Sequence, residues 1–91
     1  NTGSRFALDQ QVTTIGRDTS STVLLDDVTV SRHHAEVLAD DDGYVLRDVG
    51  SLNGTYVNGD RVDSHRLAEG DQLQVGRYRM VFAFGARDGD G

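Results

Sequence analysis

Short apolar or alternating runs recur along this chain of 91 residues, separated by clusters of Gly, Asp, Asn and Ser. That rhythm predicts an all-β sandwich or barrel. Arg5-Phe6-Ala7-Leu8 begins it, and Gln11 to Ile15 alternates up to Gly16. Val23-Leu24-Leu25 reads as a short buried strand, followed by Ala35 to Ala39, Tyr44 to Asp48, Thr55-Tyr56-Val57, Arg61-Val62, Gln72 to Val75 and Tyr78 to Phe84. Asp40-Asp41-Asp42-Gly43 and Asn58-Gly59 read as hairpin turns, since Asp or Asn before Gly supplies positive φ angles. Asp63 to Arg66 reads as irregular, with Leu67 pinning it to the core. Val28 and Val30 are expected to pin the loop from Asp26 to His33 likewise. No stretch holds a helical period, and the connections are too short for parallel crossovers. The expectation is an all-β fold of about eleven mostly antiparallel strands with function in its loops.

Composition narrows the classes of function. The length is that of one domain with a modest core, expected over 4–85, with 86–91 as a flexible polar tail. Cysteine is absent, which removes disulfides, thiolate metal sites and a Cys nucleophile. No apolar run approaches a membrane span and no signal-peptide core is present, so a cytoplasmic location is expected. The net charge of −6 disfavours a general nucleic-acid or anionic-membrane binder, and neither is expected as a partner. All nine basic residues other than histidine are arginines, planar forks suited to phosphate or carboxylate.

Against this acidic background, Ser31-Arg32-His33-His34 concentrates hydrogen-bond donors in one loop, and Gly16-Arg17 and Gly50-Ser51-Leu52-Asn53-Gly54-Thr55 are its companions. Taken singly each is ordinary. Arg17 reads as a solvated side chain beyond a strand-ending glycine, Ser31 and Asn53 as residues bonding their own backbone, and His34 as a loop-locking imidazole. A hydrolase built from Ser31, His34 and Asp48 lacks a nucleophile elbow, and no Walker lysine is present. A metal site from His33, His34 and Asp40 to Asp42 has neither calcium-loop nor convergent-histidine spacing. Neither an enzyme nor a cofactor or metal binder is expected.

The order of these motifs resembles the forkhead-associated (FHA) domain. Gly16-Arg17, Ser31-Arg32-His33-His34 and Ser51-Leu52-Asn53-Gly54-Thr55-Tyr56-Val57-Asn58 lie in that family's sequence order, and the resemblance runs from Phe6 to Phe84. It implies an eleven-stranded sandwich whose end loops bind phosphothreonine peptides. It assigns Arg17 and Ser31 to the phosphate, and Arg32, Ser51, Leu52, Asn53 and Asn58 to the peptide. Gly16, His34, Gly54 and Thr55 shape the loops. Gly3-Ser4-Arg5-Phe6, Leu25 to Arg32 and Asp48 to Asn58 look closest to small actinobacterial FHA regulators, of the glycogen accumulation regulator and oxoglutarate dehydrogenase inhibitor type. That likeness implies signalling from a Ser/Thr protein kinase and docking to enzymes of 2-oxoglutarate and glutamate metabolism. Three positions depart from the family pattern. Leu52 stands where many members carry a Ser or Thr that reaches the phosphate, so one hydrogen bond is missing unless Ser51 or a backbone N–H replaces it. His33 replaces a rim cation, and Thr22 replaces a loop aspartate.

The threonine side-chain methyl is expected to pack on Val30 or on aliphatic parts of the Asn53 loop. The alternative function is a phosphate-independent interaction module that uses an exposed sheet face.

Overall fold

The computed structural model describes residues 6–83, which form nine strands: β1 (Val12–Gly16), β2 (Val23–Leu24), β3 (Ala35–Asp40), β4 (Gly43–Asp48), β5 (Thr55–Val57), β6 (Asp60–Val62), β7 (Ser64–Arg66), β8 (Gln72–Val75) and β9 (Tyr78–Val81). They build a five-stranded sheet in the order β2-β1-β3-β4-β7 and a four-stranded sheet in the order β6-β5-β8-β9. Every pairing is antiparallel except β1 with β2. The expected all-β sandwich is what forms. The predicted tail, 86–91, lies outside the described residues, as do Arg5 and Phe84.

Alternation explains which residues face inward. Ile15, Ala35, Val37 and Leu46 from the larger sheet meet Val57, Leu73 and Val75 from the smaller, and Val23, Leu25, Val30, Leu67 and Phe82 complete the core. Leu67 pins its loop as expected. Val30 does so too, but Val28 is 90% exposed and pins nothing.

Four local expectations change. Residues 6–8 join no ladder, and Phe6 is exposed. Ser64–Arg66, read as irregular, is a strand: its backbone pairs with β4 as Val45↔Arg66, Leu46↔His65 and Arg47↔Ser64. Polar residues suit this edge position, because backbone groups make the ladder and the side chains stay wet. The parallel β1–β2 pair is possible without a long crossover because it spans only Ile15↔Val23 and Gly16↔Leu24, so the chain doubles back over one short step. In the β3–β4 hairpin the register pairs Asp40 with Gly43, so Asp41 and Asp42 form the turn and the positive φ falls on Gly43. Asn58-Gly59 makes the expected turn, with φ of 52° and 89° at its two central residues.

Candidate functional site

The β1–β2 link, the β2–β3 loop, the β4–β5 loop and the β8–β9 turn come together at one end of the sandwich. Backbone contacts draw the first two together. The Arg17 N–H donates to Ser31 O (3.0 Å), Asp18 N–H to Arg32 O (3.2 Å), and Leu25 N–H to Gly16 O (2.9 Å). Gly16 is required here by close approach: a Cβ at this position would lie 2.0 Å from the Arg32 carbonyl oxygen.

Arg17 is exposed, and its Nε donates to the Val30 carbonyl (3.0 Å). That bond fixes the guanidinium and leaves both terminal Nη groups without a partner among the described residues. Beside it, Ser31 Oγ accepts from the Leu52 N–H (3.0 Å), so its own hydroxyl proton stays available. The two expected anion donors therefore sit side by side.

His34 locks the loops to one another. It is fully buried; Nδ1 accepts from the Ser31 N–H (3.0 Å) and Nε2 donates to the Gly54 carbonyl (2.8 Å). Each ring nitrogen thus has one fixed role, which defines the tautomer. Gly54 has φ of +91°, a conformation that calls for glycine, whereas the nearest atoms to a Cβ there belong to the exposed, flexible Arg61 side chain, which can move aside.

The β4–β5 loop is organised by Asp48. Oδ1 accepts from the N–H groups of Gly50 (2.7 Å) and Ser51 (2.9 Å), and Oδ2 from the hydroxyls of Ser51 (2.5 Å) and Thr55 (2.7 Å). Burial pushes this carboxyl up, but the Ser51 hydroxyl and N–H, the Thr55 hydroxyl and the Gly50 N–H outweigh it and hold it at about 2. Asp48 entered the sequence reading only as a hydrolase candidate. Its signal was readable, however: an Asp that ends a strand before Gly-Ser and is followed by Thr55 has the composition of an Asx-type hub.

Ser51 Oγ gives its proton to Asp48 and accepts from the Gly54 N–H (2.9 Å). It is thereby spent in the loop and has no proton left for an anion. Leu52 is 83% exposed at the tip. The amides of Gly50, Ser51, Leu52 and Gly54 are all used, whereas the Asn53 N–H has no partner among the described residues. Asn53 Nδ2 donates one proton to Thr29 O (2.9 Å), leaving the second proton and Oδ1 open. Asn58 sits further along the four-stranded sheet. Its Nδ2 donates to Asp71 Oδ1 (2.9 Å) and its Oδ1 accepts from Gln72 N–H (3.0 Å). Asn58 is the first cause of Asp71's carboxyl lying below the usual range.

Arg32 and His33 are exposed rim residues, and Arg32 lies 3.6 Å from Asp18. Thr22 donates its N–H to Thr14 Oγ1 (2.8 Å), bracing the β1–β2 link. The Ser31, His34 and Asp48 side chains do not form a relay. His34 Nδ1 is occupied by the Ser31 backbone, Nε2 by Gly54, and Asp48 by its own loop. Val30 is only 1% exposed, so it is closed to a ligand methyl and the Asn53 loop is the aliphatic surface that remains.

Comparison with known proteins places this arrangement. The family model of the FHA domain matches residues 13–76. The glycogen accumulation regulator GarA of Mycobacterium tuberculosis is 53% identical over 90 residues, covering 99% of this chain and 56% of that protein. The oxoglutarate dehydrogenase inhibitor of Corynebacterium jeikeium is 52% identical over 88 residues, covering 97% of this chain and 61% of that protein. The chain thus spans somewhat more than half the length of these relatives. A solved structure from a structural and functional analysis of phosphothreonine-dependent FHA domain interactions superposes with a TM-score of 0.77 and 35% identity, over 81% of this chain and 77% of that one.

Proposed function

Because the chain belongs to the FHA domain family, we propose that it is a non-catalytic reader of phosphothreonine peptides, acting downstream of a Ser/Thr protein kinase in the cytoplasm. The observation that carries this is the pair of unspent donors at the loop end: the Nη edge of Arg17, held by its Nε bond to Val30, and the hydroxyl proton of Ser31. A phosphothreonine brings about −1.5 to −2 charges and three acceptor oxygens to meet them. The bond that Leu52 cannot make falls to the Asn53 N–H, since Ser51 has no proton to give. Asn53 offers the peptide main chain one acceptor and one donor, matched to a C=O and N–H pair. Asn58 has one amide proton left for a further carbonyl. Arg32 and His33 line the rim.

Titration of matched phosphorylated and unphosphorylated threonine peptides tests the reading. Only the former should bind, and Arg17→Ala should weaken it by about 1.5–3 kcal/mol, the worth of a charge-assisted hydrogen bond. Equal binding of both peptides, or undiminished binding by Arg17→Ala, overturns it. Replacing phosphothreonine by phosphoserine should cost only about fourfold if burial of the methyl is the sole difference.

The curated relatives carry names of a regulator and an inhibitor. We infer from them that this chain acts on enzymes of 2-oxoglutarate or glutamate metabolism by direct docking rather than by catalysis. Inhibition of oxoglutarate dehydrogenase that is relieved by a competing phosphothreonine peptide would support a shared face. Inhibition unaffected by saturating peptide would separate the two surfaces.

A further inference from the structure

The arginines of the two sheets are treated differently. On the outer face of the five-stranded sheet, Arg47 pairs with Glu36 on the neighbouring strand (2.7 Å), and Arg66 on β7 reaches across β4 to Asp40 on β3 (2.8 Å). On the four-stranded sheet, the register sets Arg61 opposite Tyr56, Tyr56 opposite Gln74 and Gln74 opposite Arg79. These four therefore form one outward row, because partners directly opposite share a face. Arg61 and Arg79 are both exposed, and neither has a carboxylate partner among the described residues. Asp60 alternates to the other side of β6, opposite inward-facing Val57. Arg77, in the β8–β9 turn beside the row, is 70% exposed and reaches Asp27 at 3.4 Å. A chain of net charge −6 thus keeps an uncompensated basic strip on one sheet face.

The strip is also grooved. An open groove of about 600 Å³ runs from Thr29 and Asn53 past Tyr56 to Gln74 and Arg77. A second, of about 310 Å³, continues from Gly59 and Gln74 to Arg79. The two share Gly59 and Gln74, so one trough leads from the phosphate-binding loops across the sheet.

We propose that this trough docks an acidic segment of a partner protein, its carboxylates meeting Arg79 and Arg77 in the trough while Tyr56 and Gln74 form the floor, with Arg61 at the far end of the row adding its charge from outside the groove. Charge complementarity selects this occupant. Paired arginines would serve solubility equally well, and the rest of the acidic surface repels such a segment, which confines it to the strip. The site stands on the sheet's own geometry; only its continuity with a bound phosphothreonine rests on the function proposed above.

The test uses synthetic peptides: a phosphothreonine peptide carrying a tetraglutamate tract on either side, its tetraglutamine counterpart, and the tetraglutamate peptide without phosphate. At low ionic strength the glutamate tract should tighten phosphopeptide binding by roughly five- to tenfold. Arg79→Glu should abolish that gain while leaving affinity for the glutamine peptide unchanged. The unphosphorylated glutamate peptide should shift the amide resonances of Tyr56, Gln74 and Arg79. This arm reads the strip even if phosphothreonine proves not to be a ligand. No gain from glutamate, a gain that survives both Arg79→Glu and the Arg61→Glu/Arg79→Glu pair, or shifts confined elsewhere would overturn the proposal. A single-stranded oligouridine that binds as tightly, with the same arginine dependence, would overturn the choice of a protein partner.

Discussion

At Asp48 a single carboxylate organises the loop that carries Ser51, Leu52 and Asn53, through two backbone amides and two hydroxyls. Its folded pKa of about 2 lies below the ordinary 3.8, so its ionised form is favoured by folding. The stabilisation is complete above 3.8 and is lost as pH falls towards 2. Asp40, held at about 2 chiefly by the hydrogen bonds from Arg66, adds to the same acid slope. Urea denaturation should therefore show wild-type stability declining across that window, with a shallower decline for Asp48→Asn. At neutral pH the variant should be less stable by about 1–2 kcal/mol, after allowance for solvent screening. A variant with unchanged slope and stability would mean that the hydroxyl network holds the loop without its charge.

Among elements, the end of β1 makes the closest approach. Gly16→Ala should force β1 away from the Arg32 carbonyl and displace Arg17 with it, costing about 1–3 kcal/mol as an overpacked contact does. Phosphopeptide titration together with thermal melting checks this; both should fall, whereas Arg32→Ala on the exposed rim should leave melting nearly unchanged. The same scale shows what could be read in advance. Strands with inward Val, Leu or Ile at alternate positions, such as Ala35–Asp40 and Gln72–Val75, were plain from their pattern. Ser64–Arg66 was not, because a polar edge strand is held by backbone pairing that leaves no mark on side-chain type. Arg17 and Ser31 stand out as candidates through motif order, and His34 and Gly54 through the loop architecture that the resemblance implies. The commitment of Ser51 to Asp48 was hidden, since either neighbour could have claimed its hydroxyl. Likewise, which arginines lack partners depends on which strands lie side by side, and that is a property of topology.

Across the whole molecule, the two sheets are joined at both ends. His34 bonds the Gly54 carbonyl at the ligand end, and Tyr44 packs edge-on against Phe82, with ring centroids 5.5 Å apart, elsewhere in the sandwich. Removing the imidazole leaves the Ser31 N–H and the Gly54 carbonyl unpaired around a cavity. His34→Ala should therefore cost about 2–4 kcal/mol and also abolish phosphopeptide binding, although its side chain is fully buried. Denaturation and peptide titration on the same variant would check the pair of outcomes; intact binding would show that the loops hold their places independently.

The ring of bonds around Asp48 has a further consequence for how a ligand is met. The donors that close the loop are internal to it, so the loop's conformational entropy is surrendered when the chain folds and not when a peptide arrives. What remains to be ordered is the peptide alone. Association can then proceed as a single encounter with a preorganised surface, its rate rising in proportion to peptide concentration, with no slower closing step behind it.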